Sequence, residues 1–478
     1  MTMKLTAEEP SAVYKVLREL QHHTARLGDV LTVIRGVTYK KEQARQTPSA
    51  GLVPLLRATN IQQSLNFDDL VYVPASCVSE MQTLRRGDIV VAASSGSRNI
   101  VGKAAPLTRA WVGSFGAFCF ALRPKPGVHA EYLAWFMHSP QYRERVSVLA
   151  AGVNINNLRA SHIEETVVPL PSVEQQREVV TYLDEQLSRL DASVAALLRA
   201  QANLKRYRAS VLKAACEGRL VPTEAELARA EGRTFETGAQ LLQRMLSERR
   251  TRLPTRGKYK EPIPVESSFL PNPPEGWTWA SVDEIASSEP NSITDGPFGS
   301  NLKSEHYTAS GPRVVRLQNI KDGEFADEYA HIDEERFLRL AKHRVFAGDL
   351  VIATLGDAPP RACMIPANLG PAIVKADCVR FKSHDDVLPA FANLVINAQP
   401  TRKRVKGLLH GVGRPRLALG ELRTVALPLP PLAEQHRIVA EADRRLSLIR
   451  GAEAQVGANL ARAKRLRQSI LQAAFAPA

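Results

Sequence analysis

The sequence is poor in cysteine and has no long hydrophobic run. Its five cysteines are odd in number and form no CxxC pair, which argues against a disulfide framework or a zinc site and favours buried, reduced thiols. No stretch approaches ~18 apolar residues, so we expect no transmembrane span. The N-terminal segment MTMKLTAEEPSAVYKVLREL carries charges throughout, unlike a secretory signal, and we expect a cytoplasmic protein without membrane contact.

Motifs of the common catalytic sites are also missing. The chain has neither the G-x-x-x-x-G-K-[ST] loop nor H-E-x-x-H. Its histidines show no ligand spacing apart from the adjacent His22 and His23, whose side chains would point apart on a helix. The run GDAPPRA from Gly356 is similar to the Asp/Asn-Pro-Pro-aromatic motif of amino-methyltransferases, but Ala358 follows the acid and Arg361 replaces the aromatic residue. The sequence therefore predicts no catalytic residue, no cofactor and no metal.

Positive charge exceeds negative charge. The chain has 63 lysines and arginines against 49 acidic residues, which gives a net charge of +14. An excess of this kind favours a polyanionic partner such as nucleic acid, although it informs association rather than fold. The alternative is a basic surface that only keeps the protein in solution. The length of 478 residues predicts two or more domains.

The most informative feature is a duplication. The segment VVPLPSVEQQREVV returns near the end as VALPLPPLAEQHRIV, so Glu174 and Arg177 recur as Glu434 and Arg437, 260 residues later. Fainter matches link VPLLRATNIQQ to PRVVRLQNIKD and RRGDIVVAAS to FAGDLVIATL, whereas the stretches between these anchors differ. The period is too long for a solenoid. It indicates a duplicated domain pair with two similar sites, which suits a duplex read at two half-sites.

Two long amphipathic helices are predicted at 171–218 and 428–478. In each, apolar residues recur at alternating steps of three and four, the heptad pattern of a coiled coil. A helix with one apolar stripe needs a partner; the other copy, running antiparallel, is the first choice, and another protein is the alternative. The predicted interface residues are Leu183, Leu187, Leu190, Val194, Leu197, Leu204, Arg208, Val211, Leu446, Ile449, Val456, Leu460, Arg467 and Ile470.

Two arginines interrupt the apolar seam at the same repeat position, Arg208 and Arg467. An arginine in a seam costs stability, and it either fixes the register or reaches a carboxylate. If the helices run antiparallel, Glu453 is the acid that would meet Arg208. In the alternative, these charged side chains reach out to solvent, the arginines by snorkelling.

The globular segments combine short β-rich runs with helices. GDIVVAAS and GDLVIATL are typical of strands, and AEYLAWFMHSPQYRERVSVLA is typical of a helix broken near Pro140. The expected fold class is α+β, with two similar mixed α/β domains separated by two long helices that pair as an antiparallel coiled coil. The expected boundaries are 1–170 for the first domain, 171–218 for the first helix, 219–269 for a helical and basic linker, 270–427 for the second domain and 428–478 for the second helix.

Several motifs of this chain are those of a known family, and the paired helix starts PLPSVEQQREVV and PLPPLAEQHRIV are the most specific of them. The helix ends LKRYRASVLKAACEGRLVP and AKRLRQSILQAAF belong with them, as do PEGWTW and TDGPFGSNLKSEHY. Over nearly its whole length the chain thus resembles the specificity (S) subunit of type I restriction-modification systems.

The resemblance implies a function without chemistry of its own. In such subunits, two target recognition domains each read one half of a split sequence in double-stranded DNA. The paired helices set the unread spacer and dock two methyltransferase subunits, and added restriction subunits cleave unmodified DNA with ATP. Two alternatives stay open: a coiled-coil scaffold without DNA specificity, and a DNA-modifying enzyme, for which a cofactor motif is missing.

Loops supply the candidate DNA contacts. The acid-free run TRKRVKGLLHGVGRPR and its counterpart LAAGVNINNLRASH differ in polar residues, as two half-sites of different sequence require. The loops SSGSRNIVGK and TDGPFGSNLKS and two repeated arginines complete the set. The candidates are Arg57, Arg98, Asn99, Asn154, Asn156, Asn157, Arg159, Lys303, Arg316, Arg402, Lys403, Arg404, Lys406, Arg414 and Arg416.

Residue type divides these candidates between base and phosphate contacts. Asparagine reads adenine edges and arginine reads guanine, whereas phosphate contacts position the protein and give binding its salt dependence. Arg57 and Arg316, identical in both copies, suit phosphate contact or structure better than sequence reading. Each asparagine has the alternative role of a turn or helix cap. The basic run at 249–260 is more typical of a solvated linker.

Overall fold

The computed structural model describes residues 23–97, 100–150, 156–251 and 260–475. The chain divides into two compact units, Met1–Arg199 with Val456–Ala478 and Ala200–Gln455. Two long helices contribute to both units. None of the described helices combines the length and the apolar character that crossing a membrane requires.

The first unit is built around an antiparallel sheet. Its strands are β1 (Thr24–Arg26), β2 (Leu31–Arg35), β3 (Leu52–Leu56), β4 (Val71–Pro74), β5 (Ile89–Ala92), β6 (Ser94–Ser95), β7 (Ala104–Pro106), β8 (Ser114–Phe115), β9 (Cys119–Pro124), β10 (Asn156–Asn157) and β11 (Val167–Pro169). Its short helices are α1 (Leu27–Val30), α2 (Ala130–His138), α3 (Pro140–Leu149) and α4 (Ala160–Glu164). The main sheet has the order β2-β9-β5-β7, β3 pairs in parallel with β8, and β1 pairs with β11.

The long helix α5 (Val173–Cys216) follows the first unit's strands and leads into the second unit. The second unit's other helices are α6 (Glu224–Glu231), α7 (Gly238–Thr251), α8 (Glu334–Arg339), α9 (Pro389–Asn397), α10 (Gln399–Val405), α11 (Leu419–Thr424) and the long α12 (Leu432–Ala474). Its strands are β12 (Thr278–Ser281), β13 (Ile293–Thr294), β14 (Thr308–Val315), β15 (Arg344–Val345), β16 (Leu350–Ala353), β17 (Arg361–Met364), β18 (Ala372–Val374), β19 (Cys378–Phe381), β20 (Leu409–His410), β21 (Arg416–Leu417) and β22 (Ala426–Leu429).

The two units repeat one topology. The sheet β13-β19-β16-β17 of the second unit has the same order as β2-β9-β5-β7, β14 runs parallel to β18 as β3 does to β8, and β12 pairs with β22 as β1 does with β11. The three-stranded sheets differ, because β3 is central in β4-β3-β8 whereas β18 is central in β14-β18-β15. This agreement confirms the α+β fold class and the internal duplication expected from the sequence.

A buried aspartate explains why the dipeptide Gly-Asp recurs before each central strand. The carboxylates of Asp88 and Asp349 accept a hydrogen bond from a backbone N–H three residues earlier, at 2.8 and 2.9 Å, and so close the turn that enters β5 and β16. Arg123 and Arg380 on the neighbouring strands donate to these carboxylates at 2.8 and 2.6 Å. Since both acids are almost fully buried, the ion pair compensates for the loss of water around the charge.

Two glycines allow a close backbone approach at the same place in both units. A Cβ atom at Gly36 would lie 2.0 Å from the carbonyl oxygen of Gly116, and one at Gly296 would lie 2.1 Å from the carbonyl carbon of Lys375. Neither contact is possible for a larger residue. The glycine at the second position of each pattern, Gly36 in RGVTY and Gly296 in DGPFG, is therefore required by the fold.

The long helices pack against each other within each unit, in the antiparallel sense. In the first unit Leu183 and Leu187 of α5 share a buried cluster with Leu471 in the last turn of α12 and with Phe475, which directly follows that helix. In the second unit Val211, near the end of α5, clusters with Ala442, Leu446 and Ile449 in the first half of α12. The early part of one helix thus packs against the late part of the other, as antiparallel pairing requires. All fourteen predicted interface residues are buried or half-buried.

Local signals set the ends of the helices. Ser172 caps α5, because its hydroxyl accepts the N–H of Gln175 while the Gln175 side chain accepts the N–H of Ser172. Gly218 stops this helix with a φ of +63°. The predicted break near Pro140 is confirmed: α2 ends at His138, and Ser139 caps α3.

Candidate nucleic-acid interface

Arg57 and Arg316 open the same short turn in both units. In each turn the arginine N–H donates to the side-chain oxygen of the asparagine three residues later, at 2.8 Å for Asn60 and 2.9 Å for Asn319. Both asparagine side chains are buried, and their amide groups donate to backbone carbonyls of the loop that follows. The repeated asparagine therefore holds a loop in place.

The guanidinium groups of the two repeated arginines are bound within their own units. The Arg57 Nη2 lies 2.7 Å from Asp69 Oδ2, and the Arg316 Nη2 donates to the carbonyl of Tyr329 at 3.0 Å. The Arg316 guanidinium also lies 5.9 Å from the ring centre of Tyr307. Of the two roles that the sequence left open for these arginines, this geometry favours structure over phosphate contact.

Two of the candidate loops meet in the first unit. Strands β6 and β10 pair antiparallel, which places Ser94 opposite Asn157 and Ser95 opposite Asn156. The Ser94 hydroxyl donates to Asn157 Oδ1 at 2.6 Å, and the Leu158 N–H donates to the Ala93 carbonyl at 2.8 Å. The side chain of Asn157 is therefore held at the end of the central strand, where it is exposed.

The second unit has the same junction with different side chains. Leu355 bridges to Arg416, and the Leu417 N–H donates to the Thr354 carbonyl at 2.8 Å, the bond that Leu158 makes to Ala93 in the first unit. Arg416 therefore occupies the place of Asn157. Its side chain remains 46% exposed.

A third segment joins this junction in both units, directly before the repeated cysteines of β9 and β19. The Ala93 N–H donates to the Phe118 carbonyl at 2.8 Å, and the Thr354 N–H donates to the Asp377 carbonyl at 2.9 Å. Phe118 and Asp377 thus stand at equivalent positions. We call these three positions in each unit the divergent edge, which consists of Ser94, Phe118 and Asn157 in the first unit and Leu355, Asp377 and Arg416 in the second.

A carboxyl group behind the second divergent edge is held in an unfavourable environment. Burial raises the pKa of Asp295 to about 6, and the charge of Asp377 adds to the rise. Two effects lower the pKa of Asp295 and so limit this rise. The backbone N–H groups of Gly296 and Asp377 donate to Asp295 Oδ1, at 2.7 and 3.0 Å, and the positive charge of Arg416 favours the carboxylate. Asp295 thereby links the loop TDGPFG to the divergent edge.

The basic run 402–416 divides into bound and exposed residues. Arg402 donates to both carboxylate oxygens of Asp322, at 2.6 and 3.1 Å, so its charge is compensated within the second unit. Arg404 donates to the Thr401 hydroxyl at 3.0 Å and lies 4.8 Å from the ring centre of Trp279, and burial lowers its pKa. These two guanidinium groups support the second unit's structure.

Other candidates of that run and its neighbours are open to solvent. Lys403, Lys406 and Arg414 are exposed, and so is Arg159, which stands at the start of α4. Lys303 is exposed and lies 3.5 Å from Glu305. Arg98, Asn99 and Asn154 lie outside the described residues, and Asn156 belongs to β10.

Comparisons with known proteins agree with this architecture. The family described as "Type I restriction modification DNA specificity domain" matches residues 21–197. The type I restriction enzyme EcoKI specificity subunit of Escherichia coli (strain K12) is 29% identical over 465 residues, which is 94% of this chain and 88% of that protein. The StySPI specificity subunit of Salmonella potsdam is 44% identical over 199 residues, which is 41% of this chain and 43% of that protein. Together, the family model and these relatives support the identification of the chain as a type I restriction-modification specificity subunit.

The fold of this specificity subunit has also been seen before. A solved structure described as "Structural basis underlying complex assembly and conformational transition of the type I R-M system" matches with a TM-score of 0.61 at 16% identity. The match covers 95% of this chain and 98% of that chain, so it includes both units and both long helices.

Specificity subunits are non-catalytic, so the run GDAPPRA has a role other than methyl transfer. In the specificity subunit described here, this run follows Leu355 of the divergent edge, and its Gly356 N–H donates to the Pro415 carbonyl beside Arg416, at 3.2 Å. The run therefore belongs to the loop that supports the divergent edge.

Of the divergent edge, only Asn157 and Arg416 were among the candidates chosen from the sequence, and the other four residues were missed. The signal that points to Phe118 and Asp377 is their position one residue before Cys119 and Cys378, which are 259 residues apart. A residue that differs between the two copies, directly beside one that is identical, indicates that both units share a backbone position but present different side chains there. Ser94 and Leu355 likewise differ from each other shortly after the repeated strands β5 and β16.

Proposed function

We propose that each unit of this specificity subunit reads one half of a split target in double-stranded DNA through its divergent edge. We further propose that the paired helices set the unread spacer and dock two methyltransferase subunits, through which restriction subunits join the complex. The observation that carries the proposal is that equivalent backbone hydrogen bonds hold different side chains in the two units.

Sequence reading needs this combination of a constant frame and variable side chains. Base edges are distinguished by donors and acceptors at fixed positions in the major groove, so the protein must hold its side chains equally well at both sites. The hydroxyl and amide of Ser94 and Asn157 suit a different base edge from the guanidinium of Arg416. Different half-sites would follow from these substitutions.

The charge distribution supports a duplex as the partner. Lys403, Lys406 and Arg414 are exposed in the segment that precedes and contains Arg416. Exposed cations beside a reading position would neutralise phosphates, and release of counterions would make binding salt-dependent.

Two equivalent exposed apolar positions on the long helices support the proposal that two copies of one protein bind this chain. Tyr207 on α5 and Leu466 on α12 are 259 residues apart in the sequence, and each is 46% exposed. An exposed aromatic or aliphatic side chain on a helix that is already paired is typical of a contact for a further protein. Because the two positions are equivalent, the same methyltransferase surface would fit both.

Selection from random duplexes tests the reading proposal. The specificity subunit, reconstituted with its cognate methyltransferase subunits, should enrich a motif of two short halves with a fixed gap. Replacing residues 1–170 by the corresponding domain of another family member should change one half only. An unsplit motif would contradict reading by two units, and enrichment of no motif, with a weak dependence of binding on salt, would favour the scaffold.

Stoichiometry tests the docking proposal. Native mass spectrometry should find two methyltransferase subunits on the wild-type chain and a shift towards one on Tyr207→Ala or Leu466→Ala. Arg189→Ala is the matched control, since this exposed helix residue carries only a surface pair with Glu185. If both variants still bind two subunits with wild-type affinity, these positions are not the docking sites.

A further inference from the structure

Arg416 at the divergent edge of the second unit is held from two sides. Its Nε lies 2.7 Å from Asp377 Oδ1, and its guanidinium carbon lies 5.2 Å from the ring centre of Phe298. The carboxylate binds one end of the planar group and the ring covers part of it, yet 46% of the side chain stays exposed. An arginine anchored through Nε keeps its two terminal Nη groups for an outside acceptor.

The acid that anchors Arg416 is itself fixed. The Asp377 carbonyl accepts from the Thr354 N–H at 2.9 Å, and the Asp377 N–H donates to Asp295 Oδ1 at 3.0 Å. Its φ of +65° belongs to the left-handed region, which aspartate tolerates better than most residues. The carboxylate is 18% exposed, so solvent does little to loosen its hold on Arg416.

We propose that Arg416 reads a guanine in the second half of the target, by donating from its two Nη groups to N7 and O6 in the major groove. The proposal rests on the proposed function and names one base that the second unit requires. Arginine presents two parallel donors in a rigid plane, and guanine is the base that presents two acceptors on that edge. Anchoring by Asp377 and Phe298 removes much of the rotamer freedom that binding would otherwise cost.

A phosphate contact fits this arrangement less well. The carboxylate of Asp377 compensates the positive charge of Arg416, which weakens the attraction to a phosphate but leaves the donor geometry intact. Lys403, Lys406 and Arg414 are exposed in the same segment and form no ion pair with another described residue, so they suit phosphates better. The anchored Arg416 would therefore contact a base, and the three exposed cations would contact phosphates of the DNA backbone.

The first unit provides an internal comparison. At the equivalent positions it has Phe118 instead of Asp377 and Asn157 instead of Arg416, so it has neither the guanidinium nor its anchor. The first half of the target should therefore lack the guanine contact that Arg416 makes. One half-site should respond to changes at Arg416 and the other should not.

The test measures binding of the complete complex, formed with its methyltransferase subunits, to duplexes substituted at each guanine of the second half-site. With wild-type protein, 7-deazaguanine at one position should weaken binding about 10-fold or more, since it lacks the N7 acceptor. Arg416→Gln should relax the preference at that position alone, and Arg416→Lys should fail to restore it. Asp377→Asn should weaken the preference less, because the arginine remains but is no longer anchored by charge.

The matched control is Arg414→Gln, which should weaken binding to all sequences alike and lower the salt dependence without changing any base preference. The proposal is overturned if Arg416→Gln keeps every preference of the wild type, or weakens all sequences equally as Arg414→Gln does. The substituted duplexes test it on wild-type protein even if a variant does not fold: equal binding of guanine and 7-deazaguanine at every position also overturns it. Absence of any split-site preference in the wild-type complex would instead contradict the proposed function.

Discussion

Arg208 of α5 donates to Glu453 of α12 across the helix pair, with 3.0 Å between Nη2 and Oε2. Both side chains are mostly buried, with 22% and 29% exposed. Each would interrupt an apolar stripe if it stood alone, and together they compensate each other. The sequence left open whether Arg208 reaches a carboxylate or extends into solvent. The structure shows the ion pair with Glu453, which is the acid expected for antiparallel helices.

Removing this ion pair should destabilise the helix pair. Arg208→Ala leaves the partly buried Glu453 without this partner, and Glu453→Ala leaves Arg208 with only the more distant Glu324, at 3.7 Å. Each change should therefore lower the free energy of unfolding by about 1–3 kcal/mol. The double variant should cost less than the sum of the two, with a coupling energy of about 1–2 kcal/mol. Denaturant unfolding of the four proteins gives this value directly.

A surface pair serves as the control for that experiment. Arg189→Ala breaks the exposed pair with Glu185 on the same helix and should cost at most about 0.5 kcal/mol. A coupling energy between Arg208 and Glu453 near zero would mean that the pair does not stabilise the helices.

The buried asparagine of the repeated turn should matter more than its exposed neighbour. Asn319 accepts the Arg316 N–H and donates to two carbonyls at 2.8 Å, so Asn319→Ala leaves buried backbone groups without partners. We expect a loss of about 2–4 kcal/mol in the free energy of unfolding. Gln318→Ala, one residue earlier and exposed, should change it by less than about 0.5 kcal/mol. Equal losses for the two would contradict the structural role of the asparagine.

The raised pKa of Asp295 gives a dependence of stability on pH. An acid whose pKa is higher in the folded protein favours folding when protonated, so its contribution is full below the ordinary value of 3.8 and is lost as the pH rises through about 6. Asp295→Asn keeps an oxygen that accepts from Gly296 and Asp377 but carries no charge. The variant should therefore melt higher than the wild type at pH 7–8 and at about the same temperature near pH 4.

Thermal melts of the two proteins across that pH range check this expectation. The difference in melting temperature should grow mainly between pH 4 and pH 7. A variant that melts below the wild type at pH 8 would show that the Asp295 charge is stabilising, against the direction given by its burial.

The five cysteines should differ in reactivity. Burial raises the pKa of the Cys119, Cys216 and Cys363 thiols to about 12 and that of Cys378 well above its ordinary value, so these thiols stay protonated and covered. Cys77 is half-buried. In native protein a thiol reagent should label Cys77 first, as peptide mapping would show, and rapid labelling of the other four would contradict their burial.

The sequence predicted the long helices and their pairing because the information is local and repeated. Heptad spacing defines one face of each helix, and the duplication of PxxEQxR, from Pro171 and again from Pro431, defines two helices that match. Even the acid for Arg208 followed from counting along an antiparallel pair. The broken helix at Pro140 was equally local, because proline disrupts a helix interior but fits the first turn of a new helix, here α3.

The divergent edge could not be predicted in the same way. Asp377 and Arg416 meet only when two strands close on the same central strand, and a single sequence does not fix that contact. The charge run at 402–416 was counted as a whole, although Asp322, distant in the sequence, takes the guanidinium of Arg402. Runs of charge indicate a partner, whereas burial and pairing decide which charges remain available to it.

The most direct test of the account is methylation mapping in cells that express this specificity subunit with its cognate methyltransferase subunit. Deletion of the specificity subunit is the control. We predict a split methylation motif with a fixed gap that disappears on deletion. A methylation pattern that is unchanged by the deletion would contradict the claim that this chain directs the complex to its DNA target.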